Sequence, residues 1–172
     1  MAIMEAIATQ YLEADAASVT FSSIPATYEH LQVRASDRAA GASTGQAFYI
    51  EFNGLAGTSY SSFIWRGHTT TYNPDPLTSQ PYIKIYDGTL GSSTDASEYA
   101  TIIMDVLDYT NTNKNTSVLL FGGQSISNTN RRVFWGSGLW DNTVAITQIK
   151  FTPSNGNMRR GSEFTLYGIK SS

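Results

Sequence analysis

The sequence contains no cysteine and only two histidines, His30 and His68. Without thiols there are neither disulfides nor thiolate metal centres, and the redox compartment leaves no trace. Charge is scarce too: Asp, Glu, Lys and Arg make up 15% of the 172 residues, against about a quarter in an average soluble domain. The net charge is −3, and Arg131-Arg132 and Arg159-Arg160 are the only adjacent basic pairs, so there is no basic field for a phosphate backbone and no nucleic-acid partner is expected. No window approaches the roughly 18 apolar residues of a membrane-spanning helix. The opening residues carry Glu5 and no early Lys or Arg, unlike a secretory signal. The expectation is a chain made in the cytoplasm with no membrane partner.

What is abundant is sheet and turn chemistry. Phe48, Ile50 and Phe52 alternate with Tyr49, Glu51 and Asn53, the period of a half-buried strand. Leu31, Val33 and Ala35 oppose His30, Gln32, Arg34 and Ser36 in the same way. Similar readings fit Ser18 to Phe21, Tyr82 to Tyr86, Ala145 to Phe151 and Glu163 to Ile169. Ile102 to Leu107 and Val118 to Phe121 are more uniformly apolar, which predicts central strands covered on both faces. Turn signals punctuate these runs at Ile24-Pro25-Ala26-Thr27, Asn53-Gly54, Asn73-Pro74-Asp75-Pro76, Asp87-Gly88, Gly122-Gly123 and Asn155-Gly156. Asp95 to Glu98 reads equally as a capped helical turn or as coil. The pattern predicts an all-β chain, a single antiparallel β-sandwich or jelly roll. Residues 18–172 form the sandwich, and residues 1–17 are an N-terminal arm or a first strand. The expected core is Phe48, Ile50, Phe52, Ile102, Met104, Val106, Leu119, Phe121, Ile149, Phe151, Phe164 and Leu166.

Catalytic constellations are thin. His30 falls on the polar face of its strand and His68 in a turn-rich stretch, while Gly123-Gln124-Ser125 lacks the glycine pattern of a nucleophile elbow and reads as loop serines. Asp105 and Asp108 are the closest carboxylates in an apolar stretch, but strand geometry puts them on opposite faces, as a solvent-facing acid and a strand-end turn former. Asn73 and Asp75 could lend oxygens to calcium, yet two prolines and no third nearby acid favour a rigid turn. No enzyme activity, cofactor or metal is expected.

Aromatics say more, since ten Tyr, eight Phe and three Trp exceed what a minimal sandwich core needs. Tyr49, Tyr82 and Tyr86 fall on the polar phase of their strands, as interface or ligand contacts or as amphipathic cover over a sheet face. Trp135 and Trp140 flank Gly136-Ser137-Gly138, which reads as a bulge that lets both indoles reach the core. At the N-terminus Ile3, Met4, Ile7, Tyr11 and Leu12 are too apolar for a freely solvated tail. They mark either an arm that adds to a neighbour's sheet edge or a strand packed on its own sandwich.

In their order, several segments resemble a family of small virion structural proteins of tailed bacteriophages, the head-decoration and tail-fibre-like proteins. They are Val19 to Tyr28 leading into His30 to Arg34, then Phe52-Asn53-Gly54 with Tyr60, then Asp108 to Lys114. The last are Gly138-Leu139-Trp140, Ala145 to Ile149 and Ser162 to Lys170. The resemblance spans nearly the whole chain from Ser18 and implies a capsid decoration, or cement, protein in the virion, assembled in the bacterial cytoplasm. The implied partners are the major capsid protein and the chain itself, with a trimer as the expected self-association. It supplies no catalytic residues. The alternative it leaves open is a tail-fibre or receptor-binding module that engages a host glycan or surface protein.

Overall fold

The computed structural model describes residues 3–68, 71–127 and 130–170, with the backbone alone at 71, 73, 127 and 130. Strands account for 61%, far above the 20–25% of an average protein, and no helix occurs among the described residues. In chain order the strands are β1 (Ile3–Tyr11), β2 (Val19–Phe21), β3 (His30–Asp37), β4 (Gly45–Phe52), β5 (Tyr60–His68) and β6 (Thr71–Gln80). Then come β7 (Ile83–Leu90), β8 (Ala100–Val106), β9 (Thr116–Ser127), β10 (Asn130–Trp140), β11 (Ile149–Pro153) and β12 (Glu163–Lys170). They form an eight-stranded sheet, β1-β12-β3-β8-β9-β10-β5-β6, and a four-stranded sheet, β2-β11-β4-β7, with antiparallel pairing throughout both. The two sheets face one another as an open sandwich, not a closed barrel.

Period-two alternation builds the core from both inner faces. Leu31 and Val33 of β3, Met104 and Val106 of β8, and Phe164 and Leu166 of β12 meet Phe48, Ile50 and Phe52 of β4 and Ile149 and Phe151 of β11. Phe48, Phe151 and Phe164 form a triangle of rings, with Phe48 centroid distances of 5.8 and 6.2 Å to the other two and 5.4 Å between them. Phe52 packs on Trp140 at 5.6 Å, and the buried Tyr60 hydroxyl accepts a hydrogen bond from the Phe52 amide at 2.9 Å. Asn53-Gly54 makes the expected tight turn, both residues in the left-handed region at φ 54° and 66°.

Four expectations are corrected. Leu119 and Phe121 are not core: they are 58% and 54% exposed, and Val118 and Leu120 point inward instead. A one-residue difference of phase sends a whole strand's side chains to the other face, and in the uniformly apolar β9 the sequence does not mark which phase is inside. Nor are β8 and β9 covered on both sides, for their outer face is bare. Gly136-Ser137-Gly138 is no bulge, since β10 runs in unbroken register against β5 and β9 from Arg132 to Trp140. Trp135 and Trp140 are therefore an odd number of residues apart on a regular strand and take opposite faces, Trp140 buried and Trp135 46% exposed.

The fourth correction concerns turn signals that lie inside strands. Asn73 to Pro76 belongs to β6, which stands at the sheet edge, where prolines are tolerated because no further strand requires their missing N–H. Gly122-Gly123 and the Gly123 to Ser125 stretch read as loop lie in β9. Gly122 is needed there because a Cβ would sit 2.3 Å from the Phe134 ring and 2.4 Å from the Thr101 carbonyl. Asp87-Gly88 is a bulge in β7: Phe48 faces Ile85 while Gln46 faces Thr89, and Asp87 adopts φ 52°. Asp95 to Glu98 forms no helix; the Asp95 carboxylate accepts the Ser97 amide and hydroxyl at 2.9 and 2.7 Å, and these bonds hold its pKa below the ordinary value.

The loop between β7 and β8 is fixed from within by Arg38, which is almost completely buried. Its guanidinium donates to the Thr94 hydroxyl at 2.7 Å and to the Glu98 and Thr94 carbonyls, each at 2.9 Å. Beside it Asp37 is fully buried with neither carboxyl oxygen hydrogen-bonded. Burial pushes its pKa up to about 7, and the Thr89 hydroxyl offsets only part of that.

Two outcomes follow from this packing. Phe52→Ala should lower stability by roughly 3–5 kcal/mol, read from denaturant melts, because its ring is fully enclosed by Tyr60, Trp140 and the inner sheet faces. The Asp37 carboxyl titrates near 4 in an unfolded chain and near 7 in the fold, so the folded state holds this proton more tightly. The stabilising contribution of that proton is then fullest below about pH 4 and is lost as pH rises through about 7. Asp37→Asn should stabilise the protein by roughly 2–4 kcal/mol at pH 8 and by much less at pH 4.5; an equal effect at both would contradict the buried, unpartnered carboxyl.

Candidate interaction surfaces

Three surfaces stand out. The first is the free edge of β1. The segment read as an arm or first strand is a strand of the chain's own sheet, antiparallel to β12 from Ile3 opposite Lys170 to Tyr11 opposite Glu163; Met1 lies outside the described residues. Gln10 donates to the Thr20 carbonyl at 2.6 Å, and the Tyr28 hydroxyl donates to the Glu5 carboxylate while Lys170 lies 4.8 Å over the same ring. Ile7 and Leu12 pack against the core, whereas Ile3, Met4 and Tyr11 are exposed. The narrower sheet touches this strand at Gln10 but leaves both of its faces largely open, and among the described residues its outer backbone edge has no partner strand. The opposite edge, β6, carries Pro74 and Pro76 and so offers fewer donors.

The second is the outer face of the large sheet. Cross-strand register aligns Pro74, Trp65, Trp135, Phe121 and Ile103 in one row across β6, β5, β10, β9 and β8. The indoles of Trp65 and Trp135 stack at 5.9 Å and 10°. The next row holds Pro76, Phe63, Ser137, Leu119 and Asp105, and the row on the other side holds Tyr72, Gly67, Val133, Gly123 and Thr101. Small residues in the flanking rows leave a hollow on each side of the aromatic ridge. One, of about 250 Å³, lies beside Thr101, Gly123 and Val133; the other, of about 450 Å³, lies beside Ser61, Ser137, Leu139 and Pro76. Sequence reading missed Trp65 and Phe63 here because β5 has large apolar side chains on both faces and shows no alternation.

The third is a polar cleft of about 290 Å³ at one open end of the sandwich, lined by Arg66, Gly67, His68, Tyr86, Asp87, Arg132, Val133 and Phe134. The β7 bulge turns the Asp87 carboxylate between two guanidinia, 2.7 Å from Arg66 Nη1 and 2.6 Å from Arg132 Nη1. Arg66 also binds Asp75. Burial works against the Arg66 charge, but the bond to Asp75 and the charges of Asp75 and Asp87 outweigh it and raise its pKa. Asp75 is thus committed to Arg66, and the Asn73 side chain proposed beside it as a calcium ligand lies outside the described residues. Behind Arg132, Gln124 is only 6% exposed, and neither its amide nitrogen nor its oxygen has a partner; the Arg132 Nε is also unpaired. Gly45 leaves room for this cluster, because a Cβ there would sit 2.4 Å from both Arg132 Nη1 and the Asp87 carboxylate.

The remaining candidates are dispersed. Tyr49 and Tyr82 stack at 3.9 Å on the outer face of the small sheet, half-buried, and burial together with the Tyr82 hydroxyl bond pushes the Tyr49 phenol up to about 12. Tyr86 lies under Lys84 at 4.0 Å and under Arg66 at 5.2 Å, which joins it to the polar cleft. His30 Nδ1 accepts the Asp108 amide at 3.0 Å, and Lys114 binds the Asp108 carboxylate and holds its pKa low. Asp105 instead accepts from Gln32 at 2.7 Å on the outer face. Among the described residues no three His, Cys, Asp or Glu side chains are grouped to hold a metal ion.

Compared with known proteins, the chain matches no protein-family model and none of the curated proteins.

Proposed function

We propose that the protein is a structural component of a tailed-phage virion, a head-decoration protein held to the major capsid protein and to copies of itself by protein–protein contacts, without catalytic activity. The observation that carries this reading is the β1 edge, nine residues long, open on both faces and rich in apolar side chains. A long exposed edge invites pairing with another chain, and proteins normally blunt such edges with proline, charge, bulges or a covering element. The other edge of this sheet has its prolines; β1 has one irregularity of register at Ile7 and one charge, Glu5, already engaged by Tyr28. Docking on a capsid subunit would complete the β1 ladder and cover Ile3 and Met4 at once. The order of the motifs from Ser18 onward supports the virion assignment, with assembly in the host cytoplasm.

Ile3→Lys with Met4→Lys should leave the melting curve nearly unchanged, since both side chains are exposed, yet reduce retention on particles by tenfold or more. Deleting residues 1–11 should give a folded but less stable domain, because β1 adds only Ile7 to the core. If the double variant binds particles as the parent does, the β1 edge is not the contact. Particles stripped of the protein should be more easily ruptured by heat or osmotic shock; undiminished resistance would refute cementing.

A receptor-binding role is the second reading, and the polar cleft favours it. The Arg66, Asp87 and Arg132 charges beside the Tyr86 ring offer both donors and acceptors to a hydroxylated ligand such as a host glycan. Under that reading the purified domain adsorbs to host cells and blocks infection, and Arg132→Ala abolishes both effects while particle retention is unchanged.

A further inference from the structure

We infer that the outer face of the large sheet is a self-association surface, on which a second copy of this chain packs face to face about a two-fold axis. The face is apolar far beyond an isolated exposed side chain. Phe121, Leu119, Trp135 and Phe63 are 45–58% exposed, and Val133, Ile103, Leu139 and Tyr72 surround them. With roughly 150–250 Å² in a full large side chain, these eight offer on the order of 600–900 Å² of exposed surface. That exceeds the roughly 300–600 Å² of the largest apolar patch on a typical monomer and matches the roughly 800 Å² each partner contributes to a standard interface.

Charge and relief point to the chain itself as the occupant. Between Ser61 and Gly67, Ser117 and Gly123, and Val133 and Leu139, every outward position is uncharged, and the polar side chains among them are serines. Two copies can therefore meet without like charges opposing one another, whereas a strongly charged partner would find nothing to pair with. Charge begins only at the rim, with Arg34, Asp105 and Arg131. The relief is self-complementary: an aromatic ridge runs across the strands, and a hollow flanks it on either side. Neighbouring rows on one face are two residues apart, about 7 Å along the strand. A two-fold copy offset by one row puts its ridge in a hollow of the first and receives the first ridge in its own, as an isologous interface requires. Because both ridges run across their strands, the two sheets stack with strands roughly aligned, the usual geometry of packed sheets.

The test is the mass of the purified full chain by sedimentation at high micromolar concentration. The expected result is twice 18.8 kDa. Trp135→Lys and Phe121→Glu should each weaken the dimer by 100-fold or more, to monomer at the same concentration, with circular dichroism and melting showing a folded chain. Val144→Lys, at an exposed loop position outside these rows, should leave the dimer intact. Should a face variant fail to fold, tryptophan emission of the parent chain decides: Trp65 and Trp135 become shielded from acrylamide as concentration rises, while Trp140 is enclosed throughout. A parent chain that stays monomeric, a folded Trp135→Lys variant that stays dimeric, or a trimer in place of the dimer would each overturn the inference.

Discussion

A sheet of four strands cannot cover a sheet of eight, and most of what is distinctive about this molecule follows from that mismatch. The inner face of the large sheet is buried from β12 through β5, where Phe164, Val33, Met104, Leu120, Phe134 and Ile64 meet the small sheet. Beyond those strands the second layer gives out. The strand β1 overhangs on one side and β6 on the other, each touched only marginally by the small sheet, and among the described residues nothing layers over the outer face of the large sheet. In a sandwich of equal sheets both outer faces are expected to be polar. Here the small sheet obeys that rule, with Glu51 and Lys150 paired at 3.6 Å and the Tyr49–Tyr82 stack beside them, while the large sheet presents Trp135, Phe121, Leu119 and Phe63 to solvent.

The same asymmetry decides what could be read from the sequence. Wherever a strand has one wet face and one dry face, alternation locates it and its register: β3, β4 and β12 lie within a residue or two of where periodicity puts them, and Phe48, Ile50, Phe52, Phe164 and Leu166 are core. Where both faces are apolar, the signal disappears. The residues of β5, Tyr60 to His68, and of β10, Asn130 to Trp140, set large side chains on both sides, so no period-two pattern rises above the rest. Only the apolar middle of β9 shows in the sequence, and its phase there is undetermined because Val118, Leu119, Leu120 and Phe121 are equally apolar. The free face was thus hidden by the apolarity that makes it notable.

Glycine and proline misled for a related reason. Both are punctuation when a chain must turn, but in a wide sheet they also solve problems within strands. Gly122 and Gly138 stand inside β9 and β10 where inner-face neighbours leave no space for a Cβ, and Pro74 and Pro76 lie on the outermost strand. Asp87-Gly88 bends β7 without ending it, and the bend delivers the Asp87 carboxylate to Arg66 and Arg132. No dipeptide statistic distinguishes that bulge from a hairpin, because the difference lies in residues distant along the chain. The polar cleft was illegible for the same reason: Arg66, Gln124 and Arg132 come from three strands and converge only once the sheet is assembled.

The three surfaces differ in what water costs them. Backbone groups along β1 are well solvated when alone, so pairing there gains little until apolar neighbours are buried with it, and Ile3 and Met4 supply that gain. The outer aromatic face is the reverse: it has few groups to satisfy and much apolar area to remove from water, so it favours contact over directional recognition. The cleft holds the fixed charges of Arg66, Asp87 and Arg132, which favour a ligand with matching hydroxyls over a flat protein surface. An assembly that buried the β1 edge would leave the cleft open, because no β1 residue lines it, whereas the outer face meets the cleft at Gly67 and Val133, which belong to both. Attachment through β1 and ligand contact in the cleft therefore use separate residues, while self-association and ligand contact adjoin at Gly67 and Val133.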